Sequence, residues 1–239
     1  MRILGHRGAS ADLPENTLEA FRAAIEQGAD GVELDVMRCG SGEVVVCHDE
    51  WLTRLAGLRW EVARTPWWKL ARADVGVHRG RPSARIPLLT DVLEALPREA
   101  VVNVELKCDA PDDRGLSVEV GRLVEAHGAA DRVFVSSFNP LCLLRLASAY
   151  PRLRRGLLLD PDRAWLPQVL WTPVVAKTSI HPHASAVTAP RVSDWHARGL
   201  EIAAWTVNDA AEAERLERLG VDWLITDAPG ALRRALGRR

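Results

Sequence analysis

Glu33 and Asp35 sit two residues apart inside "GVELDVM", an apolar run that otherwise reads as a β-strand. Side chains two apart on a strand share a face, so both carboxylates point one way while Val32, Leu34 and Val36 pack on the other. A third carboxylate, Glu105, lies in "VVNVELK", on one face with Asn103 and Lys107. Three carboxylates gathered in a low-dielectric setting repel one another unless a cation neutralises them, and a divalent metal is the economical answer. All-oxygen ligation selects a hard ion, Mg²⁺, Ca²⁺ or Mn²⁺, with positions left for water and substrate. The competing reading is an exposed sheet face with solvated acids, which parallel strands covered on both faces disfavour.

The Gly-rich turn "RCGSGE", centred near residues 40 and 41, folds the chain back and is expected to bring His48 opposite Glu33. His6 ends the first apolar run, "RILGH". Two imidazoles beside a metal can divide general-base and general-acid work across one reacting centre, although either alone is more often structural. Arg7 and Lys107 add fixed positive charge that suits a phosphate oxygen. Each reads equally well alone as an ion-pair partner, Arg7 of the acidic cluster and Lys107 of Glu105.

These residues need a frame that gathers strand ends. From residue 87 onward, β-branched runs at 101–107, 132–138, 154–160, 173–182, 201–208 and 222–227 alternate with helical stretches at 115–127, 140–149, 189–198 and 209–219. With "RILGH" and "GVELDVM" the parallel strands number eight, and "EVVVCHD" is the return arm of a hairpin. A helix carrying Leu18, Phe21 and Ile25 joins the first two strands, with Asn16 and Glu19 spaced as a capping box and Gly28 as its stop. Eight strands alternating with helices predict a (β/α)8 TIM barrel, with a doubly wound open sheet as runner-up. No GxGxxG follows the first strand to support the open sheet. Residues 50 to about 86 break the rhythm with Trp51, Trp60, Trp67, Trp68 and several Arg, and read as a cap inserted into a single domain over 1–239. A barrel carries its chemistry at the carboxyl ends of its strands, where His6, Glu33, Asp35, Glu105, His181, Trp205, Asn208 and Asp227 fall.

The formal net charge of -1 leaves no basic footprint, so nucleic acid is not the expected partner and a small molecule is. Neither a signal peptide nor an apolar run long enough to span a bilayer is visible. Cys39, Cys47, Cys108 and Cys142 show no zinc-ligand spacing, which suits reduced thiols in a cytoplasm. Oligomeric state is not legible.

Read together, "GHRGASADLPENTLEAF", "GVELDV", "VVVCHDEWLTR", "IPLLTDVLEAL", "NVELK", "SSF", "AWTVN" and "GVDWLITDAPG" resemble the glycerophosphodiester phosphodiesterase family, in order and over nearly the full length. The resemblance implies a (β/α)8 barrel with a cap after the His-Asp motif, and hydrolysis of glycerophosphodiesters to sn-glycerol 3-phosphate and an alcohol. It implies His6 and His48 as the acid/base pair, Glu33, Asp35 and Glu105 as metal ligands, and Arg7 and Lys107 as phosphate contacts. Glu15 and Asn16 of "PENT" would sit at the mouth, and Trp205 would wall the glycerol site. The departure lies in the cap, whose four Trp line the alcohol side or build a small apolar core of their own. The nucleophile is the glycerol 2-hydroxyl, giving a cyclic phosphate, or a metal-activated water. Competing functions are a related phosphodiesterase acting on lysophospholipid or sphingomyelin, and a non-catalytic phosphodiester sensor.

Overall fold

The computed structural model describes residues 1–161 and 178–237. Nine strands are found among them: β1 Arg2–His6, β2 Gly31–Arg38, β3 Val44–Val46, β4 Val101–Leu106, β5 Val133–Ser137, β6 Arg154–Leu159, β7 Ser179–Pro182, β8 Glu201–Ala204 and β9 Trp223–Thr226. All but β3 are parallel, and β1 pairs with both β2 and β9, so the sheet closes into the expected eight-stranded barrel. Of the run at 173–182, residues 173–177 lie outside the described residues. The expected helices form at Leu116–Ala126, Pro140–Ala149, Ala189–Ala197 and Ala210–Leu219.

The strands are buried on both faces, as a barrel ringed by helices requires. Val32, Leu34, Val36, Val102, Val104, Val133 and Val135 face outward into a core shared with the helices. Inside, Leu4, Phe134, Ala203, Trp223 and Ile225 fill the barrel. The Arg2 guanidinium stacks 3.5 Å over Trp223, and that of Arg154 lies 3.5 Å over Phe134. Both arginines pair with Glu201, which seals the amino end of the barrel and leaves the carboxyl end for chemistry. Gly31 permits the tight β2–β4 approach, because a Cβ there would meet the Val101 carbonyl oxygen at 2.0 Å.

Two local expectations are corrected. The hairpin turn centres on Ser41: Cys39 N–H donates to Glu43 O, and Gly42 takes φ +106° to close a three-residue loop. Asp35 therefore faces Cys47, the ladder ends at Val46, and His48 lies beyond it and not opposite Glu33. Helix α1, Leu18–Glu26, is capped by Thr17, whose Oγ1 accepts from Ala20 N–H. Asn16 is left outside the cap at φ +58° and its side chain is free for another task.

The segment 50–86 folds as short helical turns around Leu52, Leu55, Val62, Leu70, Val75 and Ile86, packed on Met37, Val45 and Cys47 of the hairpin. Aliphatic residues build this small core. Trp60 and Trp67 pack at its edge, whereas Trp51 and Trp68 are 48% and 67% exposed.

Candidate active site

Register sets the acidic cluster. Glu33 pairs with Asn103 and Asp35 with Glu105 across the β2–β4 ladder, so their side chains enter the barrel mouth side by side. One oxygen from each of Glu33, Asp35 and Glu105 lies within 4.8 Å of the others, and all three residues are buried. Burial and then the Asp35 charge push Glu33 up to about 8. The same two causes raise Glu105. Burial also works against ionised Asp35, but Arg7 and Lys107 outweigh it and hold that carboxyl below its usual range.

Arg7 Nε lies 3.1 Å from Asp35 Oδ2, and Lys107 Nζ lies 2.9 Å from Glu105 Oε1 and 3.9 Å from Asp35 Oδ1. Both basic residues thus form the ion pairs read as alternatives in the sequence. Asn16 clamps Asp35 from two sides: its Nδ2 donates to Oδ2 at 2.9 Å, and its Oδ1 accepts from the Asp35 N–H at 3.2 Å. Asn103 Oδ1 is buried at the same cavity without a hydrogen-bond partner. Three carboxylates and an unpaired amide oxygen form an all-oxygen donor set, and these residues fit a hard divalent cation.

Each histidine stands on its own carboxylate. His6 Nδ1 lies 2.6 Å from Asp227 Oδ1, and His48 Nδ1 lies 2.7 Å from Asp49 Oδ1. Burial opposes ionisation of Asp227, yet the His6, Asn208 and Ser10 contacts hold it down to about 2. Burial opposes ionised Asp49 as well, and His48 and Arg54 hold it well below the carboxylate range. An ionised carboxylate only accepts, so each Nδ1 carries the proton and each Nε2 is left to exchange one. His6 Nε2 lies 3.9 Å from Glu33 Oε2. Burial lowers the His6 pKa, but the Asp227 hydrogen bond and Glu33 charge prevail and raise it.

The two imidazoles meet at one cavity of about 170 Å³, whose lining includes His6, His48, Glu33, Glu105, Lys107 and Trp205. Trp205 is held by Nε1–H donation to His181 O at 2.8 Å and packs edge-on to Phe138 at 5.6 Å. Among the described residues Glu15 makes no hydrogen bond or ion pair with the acidic cluster; it gathers Arg7, Arg54 and Arg79 at 2.7 to 3.1 Å. His181 belongs to the core: its Nε2 meets Ser179 Oγ at 2.9 Å, and burial lowers its pKa to about 3.

Sequence reasoning placed Asp227 at a strand end without a task and gave Asp49 none. The adjacency in "CHDE" was a signal for Asp49, whereas Asp227 lies 221 positions from its partner. Arg54 was hidden in the cap among many arginines.

A parallel barrel with acids, imidazoles and fixed cations converging at its carboxyl end defines a hydrolase-type site of the phosphoryl-transfer kind. A model of the glycerophosphoryl diester phosphodiesterase family matches residues 6–231. Glycerophosphodiester phosphodiesterase of Caldanaerobacter subterraneus is 32% identical, covering 96% of this chain and 95% of that protein. The Bacillus altitudinis enzyme of the same name is 33% identical, covering 95% of each. An Oleispira antarctica phosphodiesterase solved with the product sn-glycerol-3-phosphate superposes with TM-score 0.86 at 29% identity, covering 99% of this chain and 97% of that one. The chain belongs to the glycerophosphoryl diester phosphodiesterase family, which bears out the expected fold and enzyme class. Among the described residues, no helix is long and apolar enough to cross a membrane.

Proposed function

We propose that this chain is a single barrel domain over 1–239, with the cap at about 50–86, that hydrolyses glycerophosphodiesters to sn-glycerol 3-phosphate and an alcohol using one divalent cation, Mg²⁺, Ca²⁺ or Mn²⁺. The observation that carries the reading is the convergence of two His–Asp pairs on a cavity lined by Glu33, Glu105 and Lys107, with Asp35 clustered beside those two carboxylates. Glu33, Asp35 and Glu105 would hold the cation, which would supply positive charge to offset that of the phosphodiester. Arg7 and Lys107 contact the phosphate, and Trp205 walls the glycerol side. Glu15 orients Arg7, and Asn16 orients Asp35.

His48 also borders a wider cavity of about 530 Å³ with Trp51, Glu50 and Asp109 in its lining, which suits the leaving alcohol. His48 then protonates the departing alkoxide through Nε2, while His6 Nε2 takes the proton of the attacking hydroxyl. If the glycerol 2-hydroxyl attacks, its oxygen bonds phosphorus as the alcohol leaves, and water opens the cyclic phosphate with the histidine roles reversed. Free thiols at all four cysteines suit the cytoplasm.

The test is release of glycerol 3-phosphate from glycerophosphocholine with Mg²⁺ or Ca²⁺, with EDTA, and by the His6→Ala and Glu33→Ala variants. Full activity in EDTA and in both variants rejects the mechanism. A lysophospholipid turned over faster than glycerophosphocholine reassigns the substrate. Trapping a cyclic glycerophosphate during turnover identifies the 2-hydroxyl as nucleophile.

A further inference from the structure

We propose that Arg54, in the short cap helix Thr53–Ala56, is a positioning residue that makes the acid/base site depend on the cap; this rests on the roles read above for His48 and Arg7. Its guanidinium forks onto two carboxylates at once. Nε donates to Asp49 Oδ2 at 2.6 Å and Nη2 to Asp49 Oδ1 at 2.9 Å. Nη1 donates to Glu15 Oε2 at 2.7 Å and Nη2 to Glu15 Oε1 at 2.8 Å.

Each carboxylate in turn holds one working group. Asp49 Oδ1 accepts from His48 Nδ1 at 2.7 Å, and Glu15 Oε1 accepts from Arg7 Nη1 at 2.8 Å. One planar side chain therefore sets the orientation of an imidazole and of a phosphate-contacting guanidinium that follow different strands, β3 and β1. The two carboxylates are only 11% and 19% exposed at the side chain, so water cannot replace the lost donors as it would for a surface pair. A lysine ammonium is a point charge and cannot span two bidentate partners.

The other cap arginines do not share the geometry. Arg79 reaches Glu15 at 3.1 Å, and Arg81 Nη1 donates to the Ala11 and Leu13 carbonyls, so both tether the β1–α1 loop, and among the described residues neither pairs with Asp49. Arg85 pairs with Asp74 at 3.2 Å, within the cap itself. The cap core packs directly on the hairpin that leads into His48, which delivers Arg54 to a fixed place.

The experiment measures kcat and KM for glycerol 3-phosphate release from glycerophosphocholine in R54A, R54K and R85Q. Alongside it, thermal melting and the NMR resonance of the His48 Nδ1 proton are followed. Expected are a kcat about 100-fold lower in R54A, as for a displaced catalytic group, with KM within about threefold of wild type. R54K stays low, R85Q keeps wild-type kcat, and added methylguanidinium restores R54A by about tenfold or more with saturation. The proposal is overturned by a wild-type kcat in R54A, or by a loss that R85Q shares and methylguanidinium leaves in place. Should the wild type release no glycerol 3-phosphate from any diester, the phosphodiesterase reading fails instead. The resonance then decides alone: lost or shifted in R54A it supports the clamp, and unchanged it refutes it.

Discussion

Asp227 shows how one carboxylate sets a histidine's chemistry. It accepts from His6 Nδ1, from Ser10 Oγ at 3.0 Å and from Asn208 Nδ2 at 2.6 Å, three donors that need an acceptor with no proton of its own. An amide in its place puts an N–H among those donors and favours the wrong imidazole tautomer. Asp227→Asn is expected to keep the fold, by circular dichroism, and to lower kcat by about 10⁴-fold, as when an orienting carboxylate behind a catalytic His is made neutral. A wild-type kcat in that variant would remove His6 from the acid/base role. At the acidic cluster the residue beside the carboxylates matters as much. Asn16→Ala removes both hydrogen bonds to Asp35 and is expected to weaken cation binding about tenfold, read by calorimetric titration.

At the scale of elements, strand alternation and register do most of the positioning. The alternation in "GVELDVM" and "VVNVELK" already said which side chains share a face, and the register of the β2–β4 ladder adds that Asp35 is level with Glu105. The hairpin was legible as a hairpin, but its centre was not: a half-residue shift of the turn moved His48 off Glu33, and glycine conformation within "CGSGE" decided that shift. "PENT" misled in the same way, since Asn16 and Glu19 have capping-box spacing while Thr17, next in line, takes the cap. The pinch between β2 and β4 gives a stability prediction. Gly31→Ala drives a Cβ into the Val101 carbonyl and is expected to cost about 3 kcal/mol, measured by urea unfolding.

For the whole molecule, two buried groups pull stability in opposite directions with pH. Glu33 has its folded pKa raised from about 4.5 toward about 8, so the folded state binds the extra proton and stability falls as pH climbs between those values. His181 has its folded pKa lowered from 6.5 to about 3, so its contribution is complete above 6.5 and is lost as pH falls toward 3. In EDTA the melting temperature is therefore expected to peak in the mildly acid range. Saturating Mg²⁺ or Ca²⁺ holds Glu33 ionised, releases its proton and moves the peak upward, with the largest gain in melting temperature near pH 8. Scanning calorimetry across pH 4 to 9, with and without the ion, checks this; a gain independent of pH would mean that Glu33 does not hold the cation.

The sequence by itself determined the eight-strand rhythm, the three carboxylates on shared faces, the two histidines and the place of the cap, because strand periodicity and strand-end chemistry are local properties written every two residues. Only the tertiary structure decided which carboxylate stands behind which histidine, that Glu15 gathers three arginines, and that Arg54 links Glu15 to Asp49. Barrel closure joins β1 to β9 and brings residue 227 against residue 6. The packing of the cap on the hairpin brings residue 54 against residue 15. Such contacts depend on the sum of many strand twists and loop paths, and no spacing along the chain encodes them.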